Sequence, residues 1–118
     1  MAKSVLRERS YGFAIEIVNL SQLLITEKKE FVLSKQLLRS GSAIGALVRE
    51  AEFAQSKKDF INKMSIALKE ANETLYWLDL LKDTHFLEID SHQKLHFTCK
   101  ELVAMLASSV KTSKSNLK

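Results

Sequence analysis

The sequence predicts an all-α fold: an antiparallel, up-down-up-down four-helix bundle. Its 118 residues include no proline and only three glycines, which is too few turn residues for a β-rich fold of this length. Apolar residues recur at spacings of three and four along four segments, as on the buried face of bundle helices. The connections between these segments are short, so successive helices run antiparallel. We therefore expect residues 1–118 to form a single domain around one core.

The first two helices are predicted over residues 4–25 and 34–55, with Ser4 and Ser34 as their N-caps. Both segments have the apolar stripe of a bundle helix. In the first helix it consists of Leu6, Phe13, Ile17, Leu20 and Leu24, and in the second of Leu37, Gly41, Ile44, Val48 and Ala51.

The third helix is predicted over residues 57–82. It opens with Ser56 as its N-cap and with Asp59 three residues later, a pattern similar to a capping box. Its apolar stripe consists of Phe60, Met64, Ala67, Ala71, Leu75 and Leu78.

The fourth helix is predicted over residues 91–111, with Asp90 or Ser91 as its cap. Residues 112–118 are polar, and we expect them to be disordered. The stripe of this helix consists of Leu95, Cys99, Leu102, Leu106 and Val110.

Two features of the second and third helices predict close contacts. Gly41 and Gly45 each cost helix stability, a cost that is tolerated where a neighbouring backbone comes near. The contact they predict lies either within the subunit or at a subunit interface. Tyr76 and Trp77 are adjacent, so they point about 100° apart on a helix and cannot both face the core. We expect one of them at the surface or at a subunit interface.

The net charge of +4 raises the question of polyanion binding, although an ordinary solvated surface has a similar charge. Lys57 and Lys58 are predicted at one end of the bundle, with Lys28, Lys29 and Lys35 at the other. A contiguous basic surface would therefore need oligomerisation, and the sequence has no recognised RNA-binding motif. The candidate nucleic-acid contacts are Arg7, Arg9, Lys28, Lys29, Lys35, Lys57, Lys58, Lys111 and Lys114.

The hydropathy pattern predicts a cytoplasmic protein. No apolar run approaches the length of about 18 residues that spans a bilayer. The first residues include basic side chains but no uninterrupted apolar segment followed by a cleavage site, so a secretory signal is not expected.

The sequence does not favour an enzyme, a metal site or a cofactor. A di-iron bundle needs Glu-x-x-His motifs, and no glutamate here precedes a histidine at that spacing. His92 and His96 have the spacing of metal ligands but lack the HExxH glutamate, so we expect surface or interface histidines. Cys99 lies on an apolar stripe, as a buried structural thiol does.

Acidic residues of the second and third helices are interpreted as structural ion-pair partners and not as catalytic groups. The predicted partners are Glu50, Glu70 and Glu73, with Arg39 and Arg49.

The segments QLLRSGSAIGALVREA and AQSKKDFINKMSIALKEANETLYWL resemble a bacterial family of small four-helix bundles, the proteins of 23S rRNA intervening sequences, also called S23-like. The resemblance covers about residues 5–110. It departs from the family at Leu47, where many relatives have Asn within an SIxANxxE pattern, while Glu50 keeps the acidic position. The loss of that amide puts in doubt any role that depends on it.

The family resemblance implies a homo-oligomer, with a pentameric ring as the expected form, and it brings no catalytic residues. Relatives include the accessory protein of diversity-generating retroelements, a basic oligomer that associates with a reverse transcriptase and nucleic acid. The resulting hypothesis is a non-enzymatic oligomeric bundle associated with RNA or a nucleoprotein. The alternative is a protein-interaction scaffold without nucleic-acid binding.

Overall fold

A computed structural model describes residues 2–117, with side chains over 5–117, and forms the predicted all-α bundle. The helices are α1 (Ala2–Thr26), α2 (Leu33–Glu52), α3 (Lys57–Asp83) and α4 (Ile89–Ser115). Each helix packs on its neighbours in the chain and α4 closes the bundle against α1, so α1 and α3 lie on one diagonal. The α1–α4 contact is much smaller than the other three.

The two ends of the bundle differ in what they contain. One end, here called the base, has the start of α1, the α2–α3 turn and the end of α4. The other end, here called the top, has the α1–α2 and α3–α4 turns. The molecule measures 50 × 21 × 21 Å, so the base and the top are separated by most of its length.

The core is formed by the predicted stripes. The stripes of α2 and α4 are buried at every predicted position, whereas Leu20, Phe60 and Leu75 are half-buried at the edge of the core. Across the α2–α3 contact the buried hydroxyls of Ser40 and Thr74 are hydrogen-bonded to each other at 2.9 Å. The buried apolar residues are Leu6, Phe13, Ile17, Leu24, Leu37, Ile44, Val48, Ala51, Ile61, Met64, Ala67, Ala71, Leu78, Leu81, Leu87, Leu95, Cys99, Leu102, Leu106 and Val110.

The predicted cap of α3 is confirmed. The Ser56 side chain accepts a hydrogen bond from the Asp59 backbone N–H at 3.0 Å. In return, the Asp59 carboxylate accepts from the Gln55 backbone N–H at 3.2 Å. The pair thus satisfies one backbone donor of the first turn, at Asp59, and one just before the N-cap, at Gln55.

The prediction of Ser34 as the cap of α2 is wrong. Val32 occupies the N-cap position, and Glu30 supplies the capping contacts, because its carboxylate oxygens accept from the backbone N–H groups of Val32, Leu33 and Ser34 at 2.7–3.2 Å. A carboxylate at this position also interacts favourably with the helix dipole. Ser34 instead lies buried in the first turn, with its hydroxyl donating to the Glu30 carbonyl at 2.7 Å.

The other two predicted caps are also displaced. Ser4 lies inside α1, which begins at Ala2. The cap of α4 is Glu88 in an extended conformation, so Asp90 and Ser91 belong to the first helical turn.

Both turns at the top contain a residue in the left-handed region. Lys29 has φ 54° after α1, and His85 has φ 68° after α3. This conformation ends a helix by turning its last peptide groups away from the helical direction, and it normally favours glycine or asparagine. Neither turn contains glycine or asparagine, so the sequence did not indicate that Lys29 and His85 are left-handed.

The predicted disorder beyond residue 111 is wrong for the residues that follow it. Helix α4 continues to Ser115, and Asn116 and Leu117 form a turn. Val110 is buried and Ser113 is half-buried, so packing at the base holds the final turns of the helix. Lys118 lies outside the described residues.

The small residues of α2 make a contact within the subunit. A Cβ added at Gly41 would lie 2.8 Å from Ile17 Cγ2, and one at Gly45 would lie 3.3 Å from the Ser10 carbonyl oxygen. Both glycines therefore face α1 of the same chain, so of the two predicted alternatives the structure has the contact within the subunit.

Within the described residues, no helix combines the length and the hydropathy needed to cross a membrane.

Candidate functional site

An apolar stripe on α1 faces away from the core. Tyr11, Ile15, Val18 and Ile25 are spaced by four, three and seven residues, which places them on one side of the helix. Their exposed fractions lie between 37% and 57%. We call this surface the α1 stripe. Contiguous exposed apolar surface of this kind is typical of protein–protein contacts.

The two adjacent aromatic residues of α3 have different environments. Tyr76 is 58% exposed on the outer side of the helix, whereas Trp77 is half-buried against the core. The Trp77 indole N–H donates to the Glu73 carboxylate at 3.0 Å. The two rings meet edge to face, with centroids 4.9 Å apart. Tyr76 is therefore the aromatic residue that a partner can reach.

The nine candidate nucleic-acid contacts are all exposed and divide unequally between the two ends. Three of them, Lys28, Lys29 and Lys35, lie at the top. The remaining six lie toward the base, which brings together cations from three helices. The residues at the base are Arg7, Arg9, Lys57, Lys58, Lys111 and Lys114.

The arginines at the base are engaged in ion pairs. Arg7 lies 3.7 Å from the Glu52 carboxylate, and Arg9 lies 3.1 Å from that of Glu101. Within the described side chains, no carboxylate lies within 4.0 Å of the four lysine ammonium groups at the base, on Lys57, Lys58, Lys111 and Lys114. These lysines are the cations at the base that are best placed to bind a polyanion.

The predicted ion pairs between α2 and α3 are largely present. Arg39 pairs with Glu73 and, at 3.5 Å, with the buried Glu70. The Trp77 hydrogen bond and the Arg39 guanidinium lower the pKa of Glu73 from its usual value. These contacts link α2 to α3.

Two members of the predicted set have other partners. Glu50 pairs with Lys63 at 3.1 Å, which still links α2 to α3. The prediction for Arg49 is wrong, because its guanidinium lies over the Tyr11 ring at 5.7 Å from the centroid. This cation–π contact joins α2 to one end of the α1 stripe.

A cleft of about 550 Å³ opens at the base. Its walls are mainly apolar and include Leu6, Val48 and Met64. Glu52, which lies in its lining, is the residue that pairs with Arg7. The rest of the lining includes the hydroxyls of Ser108, Ser109, Thr112 and Ser113.

Three side chains converge where α3 meets α4 near the top. His92 Nε2 lies 2.8 Å from Asp79 Oδ1, and His96 Nε2 lies 3.9 Å from the same oxygen. His92 is buried, contrary to the expectation of a surface or interface histidine, and His96 is half-buried. The spacing of residues along the chain does not reveal this group, because Asp79 belongs to another helix and its register against α4 is set by packing.

Leu47, the departure from the family pattern, is half-buried and packs against the core. The leucine therefore contributes apolar contact area at a position where an amide would need a hydrogen-bond partner.

Comparisons with known proteins agree with this architecture. Residues 3–108 match the family model described as 23S rRNA-intervening sequence protein. A crystal structure of a protein of unknown function from the S23 ribosomal protein family of Bacteroides thetaiotaomicron is 50% identical in sequence. The match covers 94% of this chain and 99% of that chain, with a TM-score of 0.92. No curated protein matches the chain.

Proposed function

Since the chain belongs to the family of 23S rRNA-intervening sequence proteins, we propose that it is a non-enzymatic, cytoplasmic bundle that assembles into a ring and binds RNA through the base. The α1 stripe is the observation that carries this proposal. Burial of its four apolar side chains against another subunit would remove them from water and stabilise an oligomer.

The positions of the exposed apolar residues favour a ring. A closed ring of more than two subunits needs two different surfaces on each subunit, one for each neighbour. The α1 stripe and the outer side of α3, which carries Tyr76, lie on diagonally opposite helices. We therefore propose that the α1 stripe of one subunit packs on the Tyr76 side of α3 in the next, with a pentamer as the expected closure.

This side-by-side arrangement would also gather the basic residues. Helices α1 and α3 run in the same direction in every subunit, so subunits packed along them have all their bases on one face of the ring. The four lysines of each base would then be repeated around that face. A concentrated positive surface of this kind attracts the phosphate backbone of RNA.

Replacement of Ile15 by lysine is expected to dissociate the ring, because a charged side chain in an apolar interface loses its hydration without gaining a partner. Light scattering coupled to gel filtration should give about five times the chain mass of 13.4 kDa for the wild type and 13.4 kDa for Ile15→Lys. Tyr76→Lys is expected to have the same effect.

The matched control is Phe97→Lys, since Phe97 is an apolar residue on α4 that is at least as exposed as Ile15 and Tyr76. It should leave the mass of the assembly unchanged. A wild-type mass of 13.4 kDa at micromolar concentration would refute assembly. Dissociation by Phe97→Lys but not by Ile15→Lys would show that the ring is built on α4 and would refute the role of the α1 stripe.

RNA binding is tested by its salt dependence. If four lysines each contact one phosphate, a plot of the logarithm of the binding constant against the logarithm of the salt concentration should have a slope of about −3 or steeper. The double variant Lys57→Ala/Lys58→Ala should reduce the steepness by roughly 1.5. Titration of a structured RNA, followed by fluorescence anisotropy at several salt concentrations, measures both slopes.

The control variant for the RNA experiment is Lys28→Ala/Lys35→Ala at the top, which keeps the net charge equal to that of the base variant. It avoids Lys29, whose left-handed backbone would be strained by alanine. We expect this control to bind like the wild type. If the wild type does not bind RNA even at low salt, RNA binding is refuted. The alternative function, a protein-interaction scaffold without nucleic-acid binding, then remains.

A further inference from the structure

The cluster of Asp79, His92 and His96 has the composition of a metal site. One candidate ligand atom from each residue lies within 4.8 Å of the other two. Zinc sites commonly combine imidazole nitrogens with a carboxylate oxygen. Ligand atoms on a tetrahedral zinc ion, each about 2.0–2.1 Å from the metal, lie roughly 3.4 Å from one another. Small side-chain rotations would therefore bring this group to zinc geometry.

A hydrogen bond between His92 and Asp79 explains only part of the arrangement. It accounts for the distance of 2.8 Å between His92 Nε2 and Asp79 Oδ1. It does not account for His96, whose Nε2 lies 3.9 Å from the same oxygen, beyond hydrogen-bond range. The two imidazole rings lie side by side, with centroids 5.1 Å apart and planes 33° apart. A cation between the three side chains would satisfy all of them at once.

The backbone holds the three residues in place without loops. His92 and His96 are four residues apart on α4, so they project from one side of the helix. Asp79 projects from α3, one turn before that helix ends. Ligands that are carried by packed helices keep their relative positions more closely than ligands on loops.

Access and burial also suit a bound ion. The side chain of His92 is 9% exposed, that of His96 is 35% exposed and that of Asp79 is 52% exposed. An ion can therefore enter from the solvent side, while His92 anchors it from within. His92 also borders a cavity of about 650 Å³ at the top of the bundle. With three protein ligands, a water molecule would complete the coordination.

We propose that Asp79, His92 and His96 form a zinc site that links α3 to α4. Two nitrogen ligands and one carboxylate favour zinc over magnesium or calcium, which prefer oxygen ligands. Because α4 has only a small contact with α1, its attachment depends mainly on α3, and the metal would reinforce that attachment. Since all three ligands belong to one chain, the site can form in a single subunit, without assembly or RNA binding.

The experiment is a calorimetric titration of the untagged, metal-free protein with zinc chloride at neutral pH. We expect one zinc ion per chain, with the affinity reduced at least tenfold in both His96→Gln and Asp79→Asn. His96 is the preferred position, because it is half-exposed and its replacement leaves the core intact. At a free zinc concentration roughly 100 times the dissociation constant, the Tm of the wild type should rise by roughly 10 °C. Magnesium chloride should produce neither effect.

The matched control is His85→Asn. His85 is the remaining histidine, it lines the same cavity as His92, and it lies outside the cluster. Asparagine tolerates the left-handed backbone at this position, so the variant should fold and bind zinc like the wild type. The proposal is overturned if micromolar zinc does not bind the wild type or if His96→Gln binds it unchanged. Loss of binding in His85→Asn would equally overturn it. Zinc binding by the monomeric Ile15→Lys variant would separate this site from the assembly proposal.

Discussion

At pH 8, Cys99 will react with a water-soluble thiol reagent at least about 1000-fold more slowly in the folded protein than in the unfolded chain. Its side chain is completely buried, and its S–H donates to the Ala71 carbonyl oxygen at 3.3 Å. Burial raises the pKa of the Cys99 thiol to about 12 from an ordinary value of 9.0. Only the thiolate is nucleophilic, and each unit of pKa reduces its population tenfold at a pH well below both values.

The reaction is followed with a chromogenic aromatic disulfide in buffer and in concentrated urea. Because Cys99 is the single cysteine of the chain, all of the released chromophore reports on it. Labelling of the folded protein at the rate seen in urea would contradict the burial of the thiol.

The raised pKa of Cys99 also makes the stability depend on pH. In the unfolded chain the thiol loses its proton near pH 9, whereas in the folded protein it keeps the proton to about pH 12. The contribution of the buried thiol is therefore fully present below pH 9 and is lost as the pH rises toward 12, by about 1.4 kcal/mol per pH unit. Urea unfolding at pH 9 and at higher pH should show a steeper loss for the wild type than for Cys99→Ala. An equal loss in both proteins would contradict this origin.

Alanine substitutions at two glycines are expected to change stability in opposite directions. Gly41→Ala should lower the free energy of unfolding by roughly 1–2 kcal/mol, since overpacking outweighs the gain in helix propensity. The added Cβ would lie 2.8 Å from Ile17 Cγ2 and 2.9 Å from Ile17 Cγ1, which are fixed close to the α1 backbone. Gly12→Ala should raise the free energy of unfolding by about 0.5–1 kcal/mol, because nothing lies within 4 Å of the new Cβ.

The glycine prediction is checked by urea unfolding of both variants, with Gly12→Ala as the matched control. A second comparison isolates the contact with Ile17. Ile17→Ala alone costs about 2–5 kcal/mol, but it removes the two atoms nearest to the new Cβ and leaves only the Cβ of residue 17, at 3.3 Å. In that background Gly41→Ala should destabilise the protein much less than in the wild type. Stabilisation by Gly41→Ala in the wild-type background would show that α1 and α2 are farther apart than the structure has them.

Much of the candidate site depends on distances that no local pattern specifies. Asp79 is separated from His92 and His96 by 13 and 17 positions, and it meets them only because α3 and α4 pack in one register. The spacing of the two histidines was visible in the sequence, but their third partner was not. The exposed side of α1 could have been found from the spacing of Tyr11, Ile15 and Val18, since these residues lie opposite the predicted core stripe.

The sequence by itself determined the helical class, the number of helices and most of the residues that form the core. These follow from a period of about 3.6 residues per turn, which is a local property of the chain. Local chemistry likewise determined the Ser56 cap, because its partner Asp59 is only three residues away. The tertiary structure alone decided that Gly41 faces Ile17 and that six of the nine candidate cations share the base. These contacts depend on how whole helices are placed against one another and on how the chain turns between them, and neither is encoded in the spacing of residues along a single helix.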